Sequence, residues 1–127
     1  MTIFRFNKQV YYLMYTGNAF FDLMDEFGEP SELVTKILPN TRDAYEAVCK
    51  IAQVLTEEGA AARSYMGYER PETLDAQAFK HLARPINLIR LKRAVSNEIF
   101  SGTNREENTD EEIDLGLQEL QKKTETE

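Results

Sequence analysis

The chain opens on two short β-prone runs, and from Ala19 to Phe100 its apolar residues recur at steps of three and four. The opening TIFRFNKQVYYLMY holds two β-prone runs, residues 2–6 and 9–15, separated by Asn7 and Lys8. Asparagine tolerates the positive φ that a tight two-residue turn demands, so the pattern predicts a β-hairpin. Phe4 and Phe6 share one face, and Val10, Tyr12 and Met14 share a face of the partner strand. A lone hairpin is marginal in water, so this one must lie on helices or pair with another chain.

The longest helical pattern runs from Thr41 to Gly67. Ala44, Val48, Ile51, Leu55, Ala62 and Tyr65 form one stripe, and Tyr45, Cys49 and Ala52 widen it, as expected of a helix buried on two sides. Asn40 or Thr41 suits its cap, whereas Gly59 is a weak point where the helix could stop and restart. Before it, Asn18 is placed to cap a helix over 19–27 closed by Gly28, and Pro30 and Ser31 open a short one over 32–38 that is expected to bury Leu33, Val34, Ile37 and, at its end, Leu38. After it, Thr73 is placed to cap a helix over 74–83 with Leu74, Ala78 or Phe79, and Leu82 on its apolar side. Pro85 starts a last helix, with Leu88, Leu91 or Ala94, Val95 and Ile99 as its stripe. The expected fold is therefore mainly α (α+β): an N-terminal β-hairpin, a bundle of about five helices, and an acidic, flexible C-terminal tail. The folded domain is expected over residues 1–102 and the tail over 103–127, with a short apolar segment at 113–120 that orders on a partner.

A chain of 127 residues is one domain by the usual prior. Its net charge of −7 is concentrated in the tail, where nine acidic residues face three basic ones, so the preceding 102 residues carry only −1. Such a balance speaks against nucleic acid as the main partner. No apolar run reaches the ~20 residues of a membrane helix. Without a secretory leader and with a single cysteine, the chain reads as cytosolic and free of internal disulfides.

Enzymatic chemistry has no visible carrier. His81 and Cys49 are the only histidine and the only thiol, and both read as structural. The acidic run near Asp110 lacks the alternating oxygen ligands and central glycine of a calcium loop, and the glycines form no phosphate cradle. No catalytic residue, metal or cofactor is expected. Between Asp75 and Glu98 there is no acidic residue, while Lys80, Arg84, Arg90, Lys92 and Arg93 are all present. The plain reading of these is a solvated face; the sharper one is a docking surface for an acidic segment, this chain's own tail or a neighbour's. Tyr11, Tyr12 and Tyr15 exceed what one sheet face hides, which suggests an interface. Protein-binding residues are accordingly expected among Tyr11, Tyr12, Tyr15, Lys80, Arg84, Arg90 and Arg93, and in the tail at Ile113, Leu115, Leu117 and Leu120.

The order of these parts, with FRFNKQVYYLMY, AFFDLMDEFG, AARSYMGY and EEIDLGLQELQKK as its most characteristic pieces, resembles the small tail assembly chaperones of long-tailed bacteriophages and prophages of Gram-positive hosts. The resemblance implies a non-enzymatic protein of the host cytoplasm, absent from the finished virion. Members coat the tape measure protein, recruit tail tube subunits around it, and often have a longer form made by ribosomal frameshifting. Gln121, Lys122 and Lys123 would suit a slippery codon run. A long helical client would aggregate through its apolar stripes, and many copies of a small helical domain could shield it, with association between copies as a further expectation. Two other classes remain open: a structural tail or head-to-tail connector subunit, which would stay in purified particles, and a small helical regulatory or nucleic-acid-binding protein, which would bind DNA in a salt-dependent way.

Overall fold

The computed structural model describes residues 1–105, so the predicted apolar segment 113–120 and most of the predicted tail lie outside the described residues. An N-terminal hairpin is followed by five α-helices. Strands β1 (Thr2–Phe6) and β2 (Gln9–Leu13) pair antiparallel with Phe4 opposite Tyr11 and Phe6 opposite Gln9. Asn7 and Lys8 both take positive φ (53° and 68°), the geometry of the two-residue turn whose twist matches that of the strands. The register puts Phe4, Phe6, Tyr11 and Leu13 on one face, where Phe4 and Leu13 are buried; Ile3, Arg5, Val10 and Tyr12 take the other. Strand β2 ends at Leu13 and not at Tyr15, because the Tyr15 N–H, next in line for the ladder, turns to the Glu98 carboxylate (2.9 Å), while the outward Met14 N–H donates to the Leu55 carbonyl (3.1 Å) on the long helix.

Helix α1 (Gly17–Phe27) starts earlier than its sequence suggests, since the Thr16 hydroxyl, not Asn18, accepts from the Ala19 N–H (3.1 Å). Gly28 closes it with φ 94° and a bond from its N–H to the Met24 carbonyl. Helix α2 (Pro30–Ile37) buries Leu33 and Ile37 and leaves Leu38 exposed. The 24-residue helix α3 (Arg42–Tyr65), capped by Thr41, is the spine of the domain: β2, α1, α2 and the two helices that follow, α4 (Ala76–Leu82) and α5 (Pro85–Phe100), all pack on it. Its stripe is buried from Ala44 to Ala60, but Tyr65 is 90% exposed, because the last turn outruns the elements packed around the helix.

Helix α3 does not break at Gly59. A Cβ there would stand 1.8 Å from the Tyr12 carbonyl oxygen, so the missing side chain is what lets the outer edge of β2 lie against the helix. The next helix, α4 (Ala76–Leu82), is capped by Asp75 and not Thr73; Asp75 Oδ1 accepts from the N–H groups of Gln77 and Ala78. Its entrance is pinned to α3 by the buried Thr56 hydroxyl, which accepts from the Leu74 N–H (2.9 Å), and by Gln53, which accepts from the Ala76 N–H (2.8 Å). Phe79 is the buried side of α4, whereas Ala78 and Leu82 are exposed. Helix α5 (Pro85–Phe100) buries Leu91, Ala94, Val95 and Ile99 against α3 and runs alongside β1. Ser101–Arg105 follow as a π-helical turn that contains Gly102. No helix among the described residues is long and apolar enough to cross a membrane.

Candidate functional site

The predicted basic face divides into residues used for holding the fold and residues left over. Lys80 reaches back to Glu46 on α3 (2.7 Å), and this hydrogen-bonded ammonium holds the Glu46 carboxyl below its ordinary range. Lys92 donates to the Leu38 carbonyl (2.7 Å) and to that of Pro39, and lies 4.7 Å from the Tyr45 ring centroid. Its charge thereby satisfies orphan carbonyls where α2 ends. At Arg84 the backbone N–H donates to Asn87 Oδ1 (2.8 Å), closing the first turn of α5. Arg90 and Arg93 remain, on the side of α5 that faces β1.

Together with Arg5 these two arginines surround a shallow groove of about 370 Å³ between residues 2–5 of β1 and Arg90, Arg93, Ala94 and Asn97 of α5. None of the three is in an ion pair among the described residues. Arg5 was not among the expected binding residues. Its alternation with Phe4 and Phe6 puts it on the outer strand face, but nothing in the sequence says that α5 lies beside that strand.

The three hairpin tyrosines all make contacts within the chain. Tyr11 lies beside Phe4, 6.5 Å between ring centroids, and burial, helped by Glu72, pushes its hydroxyl pKa up. Tyr15 packs against the backbone of Gly102 and tilts onto Phe20, with burial again raising its pKa. Tyr12, on the outer face, stacks with Arg63: the guanidinium carbon sits 4.1 Å from the Tyr12 centroid and 4.2 Å from that of Tyr68. The flat, weakly hydrated guanidinium suits a slot between two rings better than an ammonium does. Arg63→Ala is expected to lower stability by about 1–2 kcal/mol, with Arg63→Lys recovering less than half of that. Thermal melting followed by the tyrosine near-ultraviolet signal checks this, and an unchanged melt for the alanine variant would refute the stacking role.

Glu98, a carboxylate in the last turns of α5, is 3% exposed. Its two carboxyl oxygens accept from the Thr2 hydroxyl (2.8 Å) and the Tyr15 N–H (2.9 Å), and the N-terminal amine lies 3.7 Å away. It joins both ends of the hairpin to α5. The only hint in the sequence is its place between Val95 and Ile99, close enough to the apolar stripe to be carried under it.

Cys49 is buried, and desolvation pushes its thiol up to about 11, away from the reactive thiolate. His81 is exposed on α4. Among the described residues no three His, Cys, Asp or Glu side chains gather in a way that could hold a metal ion. Ile113, Leu115, Leu117 and Leu120 lie outside the described residues. Comparison of the chain with protein-family models, with curated protein sequences and with solved structures gives no match.

Proposed function

We propose that this chain is a tail assembly chaperone of a long-tailed bacteriophage or prophage. It acts in the host cytoplasm, makes and breaks no covalent bond, covers apolar helical stretches of the tape measure protein, and brings tail tube subunits to it. The observation that carries the reading is an uncovered group of aliphatic side chains around the turn between α4 and α5. Leu82, Ile86 and Ile89 are 62%, 50% and 44% exposed. Leu38 at the end of α2 is also exposed, and its carbonyl is held by Lys92 from the middle of α5. Single exposed leucines are ordinary on a protein surface, whereas grouped ones mark places where another apolar surface is received. An amphipathic helix of a client laid on this group would bury it without needing any catalytic residue.

Co-expression with the tape measure protein tests the proposal. The wild-type chain is expected to keep that protein in the soluble fraction and to co-purify with it, and a Leu82→Glu, Ile86→Glu, Ile89→Glu variant to lose both while keeping its circular dichroism. No gain in soluble tape measure protein with the wild type would sink the reading. Recovery of the chain from purified particles by mass spectrometry would favour a structural tail subunit instead.

A further inference from the structure

The hairpin has two outer edges, and among the described residues only one of them is covered. Because a two-residue turn makes Phe6 and Gln9 a hydrogen-bonded pair, the alternation along the ladder points the N–H and C=O of Ile3 and Arg5 away from β2. On β2 the corresponding groups meet α3: the Tyr12 carbonyl faces Gly59 and the Met14 N–H donates to the Leu55 carbonyl. On β1, neither Ile3 nor Arg5 makes a backbone hydrogen bond outside the hairpin among the described residues. That edge opens into the groove walled by Arg90 and Arg93, with Arg5 on its rim and the small Ala94 at its side. An open strand edge with unspent hydrogen bonds, next to three arginines that make no ion pair among the described residues, suits an extended acidic peptide.

We propose that the occupant is this chain's own acidic segment, residues 110–118, added to β1 as a third strand. Three observations select it. First, Ile113, Leu115 and Leu117 alternate with Asp114, Gly116 and Gln118, the period of a strand and not of a helix. Second, Asp110, Glu111, Glu112 and Asp114 bring four carboxyl groups to a slot that offers Arg5, Arg90 and Arg93. Third, the reach is sufficient. The five residues from Arg105 to Asp110 span up to about 17 Å when extended. The eight-residue distance back along the helix to Asn97, the lining residue of the groove nearest in sequence, is about 12 Å. Docking spends the free edge, neutralises the arginines and withdraws the tail's apolar residues from other partners. The inference holds whether or not the chain handles a tape measure protein.

Amide hydrogen exchange on the full-length protein is the test. At low salt the Ile3 and Arg5 amides are expected to exchange at least about tenfold more slowly than those of an unpaired edge. The protection should be lost in an Arg90→Glu, Arg93→Glu variant, and also on Leu115→Pro, which removes a strand donor without changing charge. It should return when Arg90→Glu, Arg93→Glu is combined with Glu111→Arg, Glu112→Arg and Asp114→Arg. Fast exchange at Ile3 and Arg5 in the wild type would overturn the proposal. So would protection that survives Arg90→Glu, Arg93→Glu, or protection that rises with protein concentration and therefore comes from a second copy.

Discussion

Gly59→Ala is expected to destabilise the domain by roughly 3 kcal/mol, against the usual sense of this substitution inside a helix. Alanine gains about 1 kcal/mol over glycine from helix propensity alone. Here its Cβ would stand 1.8 Å from the Tyr12 carbonyl oxygen and 2.6 Å from the carbonyl carbon, and both are backbone atoms that cannot rotate away. Strand β2 would have to lift from α3, which stretches the Met14-to-Leu55 hydrogen bond and loosens the seating of the buried Leu13. Overpacking usually costs about 1–3 kcal/mol and more where the clash is with backbone; a cost of about 4 kcal/mol here, less about 1 kcal/mol of helix propensity, leaves the expected loss. The melting temperature should fall by roughly 10–20 °C. Gly17→Ala, at a position with nothing within 4 Å of the added carbon, should leave the melt nearly unchanged. A melt raised by Gly59→Ala would mean that the hairpin does not sit on α3 as described.

Glu98→Ala should be as damaging for a different reason. Removing the carboxyl group strands the Tyr15 N–H and the Thr2 hydroxyl, two donors whose other ends are fixed by the hairpin. Hydrogen bonds to a charged group contribute about 1.5–3 kcal/mol each, so a loss of about 3 kcal/mol is expected once partial access of water is allowed for. Glu98→Gln, which keeps the shape and an acceptor, should lose only about 1 kcal/mol. Urea titration measures both. The Thr2→Val, Glu98→Ala double variant should be less destabilised than the sum of the two single changes, because they remove the same bond. Additive single effects, or a Glu98→Ala midpoint equal to wild type, would refute the bridging role.

Neither residue could be assigned these roles from the sequence. Gly59 reads there as a helix breaker because glycine's local cost is all that a neighbouring-residue argument can see; its benefit comes from Tyr12, forty-seven positions away. Glu98 carries no local sign of its burial, because its partners lie eighty-three and ninety-six positions earlier. The caps show the same limit on a smaller scale. Thr41 caps α3 as expected, but Thr16 and Asp75 displace Asn18 and Thr73, since several polar residues stand near each helix start and packing selects among them. Tyr65 continues the periodicity of α3 and is nevertheless exposed, because a period specifies a face and not whether anything covers it.

The candidate surface divides along the same line. A basic stretch between Asp75 and Glu98 was visible as a run without acids, yet which cations stay free was not: Lys80 is paired with Glu46 and Lys92 with the carbonyls at the end of α2. By itself the sequence determined the order and kind of the elements and the turn at Asn7 and Lys8, since strand and helix periods and turn chemistry act between residues a few positions apart. Only the tertiary structure decided that α3 closes one edge of the hairpin, that Glu98 is buried, and that Arg5 joins Arg90 and Arg93 at the other edge. Those outcomes depend on contacts between residues far apart in the chain, which the packing of the whole core sets and no local pattern encodes.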